Sequence, residues 1–226
     1  MGEEWQYLPE YVPLFPLPEV VLFPRTILPL HIFEPRYREM TADALVGDRI
    51  IATALLQPGF EPLYYTHRAP IYPTIGVGEI VESEQVPDGN YNLLLRGLSR
   101  AKIIEELTDR PYRVARIEPV RTFCSRDQTA SQKLRGELFN AIRNNPGLDA
   151  RLRKMWLRLA DLDLELDELS DLIAVAVPTE AELRQCLMDE PDAYLRTQML
   201  VNQIRTLGAI ARNYQRSTRP GGPSFN

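Results

Sequence analysis

Few side chains in this chain could carry chemistry. His31 and His67 are its only histidines, and Cys124 and Cys186 its only cysteines. Two imidazoles cannot build a three-histidine metal site, and there is no His-Glu-x-x-His string to set two ligands on one helix face. Gly97-Leu98-Ser99-Arg100-Ala101 has the serine of a nucleophile elbow but not its second glycine, and no histidine follows Ser99 to act as base in the hydrolase order. A bend in a long strand accounts for it better. No Gly-x-x-x-x-Gly-Lys-Ser/Thr loop is present, and Lys102 lacks the preceding glycines that would cradle phosphate through backbone amides. The acidic run Asp161, Asp163, Glu165, Asp167, Glu168, Asp171 has Leu166 where a calcium loop needs glycine. It is expected to open a helix, whose N-terminal dipole favours negative charge. The two isolated cysteines are expected as small buried residues. His31, inside the apolar stretch LPLHIF, is expected to be held by a backbone partner. These residues predict no cofactor, no metal and no catalysis.

Composition points the same way. With 226 residues, 44% hydrophobic and 25% charged, the chain is of ordinary globular type. A net charge of −5 and a pI near 5.2 disfavour a broad phosphate-binding face, and hence nucleic acid. Lysine occurs only at 102, 133 and 154, so the cations are nearly all arginine, which suits planar and stacked protein contacts. Two distant cysteines form no disulfide framework, and no leader or membrane-length apolar run is visible. A reducing, cytoplasmic setting without membrane insertion is expected.

The elements that would position any site change in kind along the chain. Seven prolines crowd the first 35 residues, each fixing φ and removing a donor, so 11–33 is expected as short, bent strands. Val20-Val21-Leu22-Phe23 and Ile27-Leu28 are β-prone runs that proline would confine to sheet margins. EPRYREMTADALVGD predicts a helix with proline in its first turn and Gly47 as its stop. Strands follow in RIIATALL, IYPTIGVGEIVESEQV, NYNLLLRGLSRAKIIEEL and YRVARIEPVRTF, the middle two joined by a Pro87-Asp88-Gly89 turn. From Ser125 the apolar period shifts from 2 to 3.6. Helices are expected at about 128–145, 148–160, 165–177, 179–189 and 191–215, with a Thr179/Glu182 capping box after Pro178 and a stripe of Leu200, Ile204, Leu207 and Ala211. The predicted organisation is an extension over 1–10, a β subdomain over 11–124, a helical subdomain over 125–216 and a disordered tail over 217–226. The fold class is α+β.

Three segments in order, 12–40, 71–103 and 169–187, resemble the Lon protease N-terminal domain family. The matching residues are Leu14-Phe15-Pro16-Leu17, Phe23-Pro24, Leu28-Pro29-Leu30, Gly76-Val77-Gly78, Gly97 and Arg100, with Arg25 in place of the family's usual small turn residue. The string from His31 to Arg38 looks more like the family's stand-alone bacterial members and its RING-finger relatives than like the full protease. The resemblance covers about 11–210. It implies a PUA-like, bent antiparallel β pseudobarrel followed by a C-terminal helical bundle. It also implies substrate recognition without the ATPase and peptidase modules that full proteases carry beyond this point.

The implied partners are unfolded or degron-bearing proteins, with a protease or chaperone in trans. An apolar patch of Leu22, Phe23, Ile27, Leu28, Ile32, Phe33 and Tyr37, rimmed by Arg25, Arg36 and Arg38, is the expected surface, although each apolar member also fits a core position. Gly97 and Arg100 are added because the resemblance puts them near the barrel mouth, Arg100 as an exposed cation on a strand bend. Glu34 and Arg38 have the spacing of a helical ion pair. RNA binding, as in other PUA-like barrels, is the alternative, and a cryptic hydrolase using Ser99 a more distant one.

Overall fold

The computed structural model describes residues 8–66, 68–107 and 109–217, which hold six strands and six α-helices. His67, most of the N-terminal extension and nearly all of the tail lie outside the described residues. Contacts divide the chain into two units, residues 1–121 with 178–191 and residues 122–177 with 192–226.

In the first unit, β1 (Tyr11–Leu17), β2 (Ile27–Ile32), β3 (Ile50–Leu55), β4 (Thr74–Gln85), β5 (Tyr91–Leu107) and β6 (Arg113–Pro119) form one sheet in the order β2-β5-β4-β3-β1-β6. An added β5–β6 pairing closes the ring. Strand β5 can do this because it has 17 residues: its first half pairs with β2 and β4, and its last seven residues reach β6. The hairpin between β4 and β5 turns at Gly89, whose φ of 83° needs a residue without Cβ. The Asp88 carboxylate accepts from the Asn90 amide at 3.0 Å and steadies the turn.

Two expectations about the N-terminal strands are corrected. The sheet is antiparallel except for β1 and β3, which run parallel. Strand β2, where Ile27 and Leu28 are expected at a margin, is the terminal strand of the order, while β1 lies between two neighbours despite Pro13 and Pro16. Its partners explain the tolerance: Tyr11–Leu14 pair with β6 and Leu14–Leu17 with β3, so only Leu14 is flanked on both sides. Each proline sits where one neighbour is missing, and its lost donor leaves no gap in a central ladder. The run Val20–Phe23 forms no strand; Val21, Leu22 and Phe23 are buried in an irregular segment.

The two sheet faces feed two cores. One gathers Phe15, Leu22, Ile51, Ile80 and Leu95 with Tyr37 and Met40 of α1 (Pro35–Val46). The other gathers Val12, Leu14, Ala52, Val77 and Ile117. With cores on both sides, β3 is buried at all six positions and shows no polar alternation. Helix α5 (Ala181–Asp189) belongs to this unit, where Gln185 donates to the Thr74 carbonyl at 2.9 Å. The contiguous helical subdomain expected over 125–216 is therefore interrupted by 178–191. The N-cap of α5 is Glu180, one residue later than the capping box predicted at Thr179.

The second unit contains α2 (Gln128–Arg143), α3 (Ala150–Arg158), α4 (Leu166–Ala174) and α6 (Ala193–Ser217). The acidic run does open a helix: Glu165 and Glu168 form a capping box at the start of α4, with Asp167 in the first turn. Leu200 and Ile204 of α6 are fully buried, as their spacing predicts. Asn145, between α2 and α3, is buried and donates its amide to the Ile204 carbonyl.

Candidate protein-binding face

Among the described residues strand β2 pairs with β5 alone, so its other edge is free. Its residues alternate: Leu28, Leu30 and Ile32 turn toward the core, while Ile27, Pro29 and His31 are exposed. The register extends each exposed residue into a cross-strand row. His31 lies beside Asn92 and Glu84, Pro29 beside Leu94 and Glu82, and Ile27 beside Arg96 and Glu79. Two of the rows are hydrogen-bonded. His31 Nδ1 and Asn92 Oδ1 are 2.8 Å apart, the Asn92 amide donates to Glu84 at 3.4 Å, and Arg96 pairs with Glu79 at 2.6 Å. Phe33 stacks on the His31 ring at 6.2 Å and stands 60% exposed. Pro29, His31, Glu82, Glu84, Asn92 and Leu94 line a cleft of about 560 Å³, within the size range of ordinary ligand sites.

The structure separates the expected binding residues into two sets. Leu22, Phe23, Ile32, Tyr37, Gly97 and Arg100 are buried and present no surface to a partner. Leu28 is half-buried against the core. Ile27, Phe33 and Arg25 are exposed, and Arg36 is partly so. The arginine rim is occupied elsewhere: Arg36 pairs with Glu34 at 2.9 Å and stacks over Tyr37, and Arg38 points to the Asp88 carbonyl at 3.5 Å. The ion pair expected between Glu34 and Arg38 is thus replaced by one at a spacing of two, because Glu34 precedes the first turn of α1 and is not yet on its helical face.

Arg100 is the larger correction. It is 1% exposed, donates from Nε to the Met188 carbonyl at 3.2 Å and lies 5.7 Å from the Phe23 ring centroid. Gly97 lets the 23–26 segment cross β5: Arg25 N–H donates to the Gly97 carbonyl at 2.8 Å, and Gly97 N–H to that of Thr26 at 2.8 Å. Arg25 stands at φ 63°, a left-handed conformation that explains why a small residue suits this turn.

Burial also bears on the reactive groups. Ser99 is buried, and its hydroxyl donates to the Arg100 carbonyl at 2.9 Å. Both cysteines are exposed, not buried. His31 has a side-chain partner in place of the expected backbone one, because its strand position turns it outward. Among the described residues no helix is long and apolar enough to cross a membrane.

Reading residues one at a time missed Pro29, Glu82, Glu84, Asn92 and Leu94. Period-2 alternation marks the outward positions of each strand, but which strands adjoin depends on the pairing.

Comparison with known proteins places the whole arrangement. The family model described as the ATP-dependent protease La (LON) substrate-binding domain matches residues 11–206. Lon protease 2 of Myxococcus xanthus is 26% identical over 204 residues, 87% of this chain and 24% of that protein. The Lon protease of Dictyoglomus thermophilum is 32% identical over 115 residues, 51% of this chain and 14% of that protein. The chain thus spans at most about a quarter of the length of these two relatives. The fold recurs in the crystal structure of a Lon N-terminal domain protein from Xanthomonas campestris, with a TM-score of 0.61 at 21% identity over 85% of this chain and 97% of that one. It recurs in the N-terminal domain of the Mycobacterium avium complex Lon protease, with a TM-score of 0.64 at 15% identity over 86% and 97%. On a family match covering most of its length, this chain belongs to the Lon substrate-binding domain family.

Proposed function

We propose that the domain recognises polypeptide segments on the outer face of β2, β5 and β4 and breaks no bonds itself. Membership in a substrate-binding family supports the first half. The carrying observation is that Ile27 and Pro29 of the edge strand β2 and Phe33 just beyond it are exposed, with half-buried Leu94 of β5 alongside, and that Pro29 and Leu94 line a cleft. Apolar surface with oriented polar neighbours is what an extended chain needs for capture. The second half rests on Ser99, whose burial removes the one serine with a nucleophile-like setting. In this reading the domain acts in the cytoplasm as a recognition element that delivers proteins to a protease or chaperone.

The test is retention of a permanently unfolded model protein by the purified chain. Ile27→Asp with Phe33→Asp is expected to weaken retention by tenfold or more while the melting temperature stays near the parent value. Unchanged retention by that folded variant rejects this face. Turnover of the bound protein, lost on Ser99→Ala, would reject the non-catalytic half.

A further inference from the structure

Building on that assignment, we infer that the segment captured by the β2–β5–β4 face is basic as well as apolar, with Lys or Arg alternating with aliphatic or aromatic residues. The three cross-strand rows differ in charge balance. In the row of Ile27, the carboxylate of Glu79 is neutralised by Arg96 at 2.6 Å. In the rows of Pro29 and His31, Glu82 and Glu84 are exposed, and among the described residues no ion pair joins either to a cation. Glu84 receives only the neutral Asn92 amide. Two carboxylates therefore border a cleft that Pro29 and Leu94 also line.

Their spacing has a counterpart in an extended ligand. Glu82 and Glu84 are alternate residues of one strand, about 6.6 Å apart along it. Alternate side chains of an extended peptide repeat at the same distance, so in a chain lying along the cleft above β5 cations at positions i and i+2 can meet both acids of β4 while the apolar residues between them turn the other way, toward Pro29 on β2. An acidic segment would face two uncompensated like charges.

The same rows also favour a mode of capture. In the β2–β5 ladder, Thr26 accepts from Gly97, so by alternation Ile27, Pro29 and His31 direct their backbone groups to the free edge. Pro29 supplies no donor there, which breaks the ladder a seventh strand would need. The ligand is held by side chains over the face, not by strand addition along the edge.

The experiment uses three labelled peptides of equal length and one apolar pattern, with lysine, glutamine or glutamate at the alternate positions, and measures anisotropy against the purified chain at low salt. The lysine peptide is expected to bind on the order of tenfold tighter than the glutamine peptide, and the glutamate peptide more weakly still, from two exposed pairs worth a few-fold each. In Glu82→Gln with Glu84→Gln, the lysine advantage is expected to vanish while glutamine-peptide binding persists, which also reports that the variant is folded. Equal binding of the lysine and glutamine peptides, or a lysine advantage that survives in the double variant, overturns the inference. If Ile27→Asp with Phe33→Asp still abolishes glutamine-peptide binding in that case, the recognition face stands and only its charge preference falls. If the parent binds neither peptide nor unfolded protein, both fall together.

Discussion

Arg100 in β5 donates to the main-chain carbonyl of Met188 in α5 at 3.2 Å, across 88 positions of sequence, from a side chain that is 1% exposed. A guanidinium removed from water must be held by acceptors and by the Phe23 ring, and removing it strands those acceptors. Arg100→Met is expected to lower unfolding free energy by about 2–4 kcal/mol in urea titration. Arg100→Lys is expected to recover little of this, because an ammonium cannot both stack on Phe23 and reach Met188.

Glycines in this chain divide by what a Cβ would strike. On Gly97 it would collide with the Phe23 carbonyl and come within 3.2 Å of the Pro24 Cα, both backbone atoms that cannot rotate away. Gly97→Ala is expected to cost about 3 kcal/mol. Gly136 on the exposed face of α2 has nothing within 4 Å of its added carbon. There Gly136→Ala is expected to raise stability by about 1 kcal/mol, through helix propensity alone. Paired thermal melts check both signs.

Asp171 and Arg196 form an ion pair at 3.3 Å with side chains 1% and 0% exposed, and Ser170 Oγ lies 2.9 Å from Arg196 Nε. Asp171→Ala leaves a buried cation without its counterion and is expected to destabilise by about 3–5 kcal/mol. Replacing both, Asp171→Leu with Arg196→Met, is expected to cost less than the single change. Chemical denaturation of the two variants decides it, and a double variant weaker than Asp171→Ala would refute the argument.

Burial pushes the Tyr37 phenol up to about 12, and burial together with the hydrogen bond to Asp43 does the same for Tyr112. A phenol whose folded pKa lies above its unfolded value near 10 binds its proton more tightly in the folded state. Its contribution is complete below pH 10 and is lost as pH rises from 10 through 12. The melting temperature is therefore expected to hold to about pH 9 and to fall above 10, and Tyr112→Phe is expected to make the fall shallower.

Strand and helix positions were legible in the sequence because period and punctuation are local. The five strands written into 27–123 and the Pro87-Asp88-Gly89 hairpin lie where alternation and turn residues put them. Motifs in order over 12–187 were enough to point to the family. Absence of a phosphate loop or a zinc string is also a property of composition and spacing, visible without coordinates.

Which apolar residues face outward was decided only by tertiary structure. Leu22, Phe23 and Ile27 look alike in a proline-broken run, yet the first two sink into the unit and the third stands 49% exposed. Burial depends on which strand lies alongside and where the irregular 18–26 segment crosses it, and no local period encodes either. The same holds for Arg100, whose position in an alternating strand fixes its face but not that α5 supplies an acceptor there. It holds for Glu82 and Glu84 beside Pro29, which sequence separates by some fifty positions and β5 brings into adjoining rows. Long-range pairing is a sum of many weak contacts between distant segments, so it emerges from the folded whole and not from any stretch of the chain.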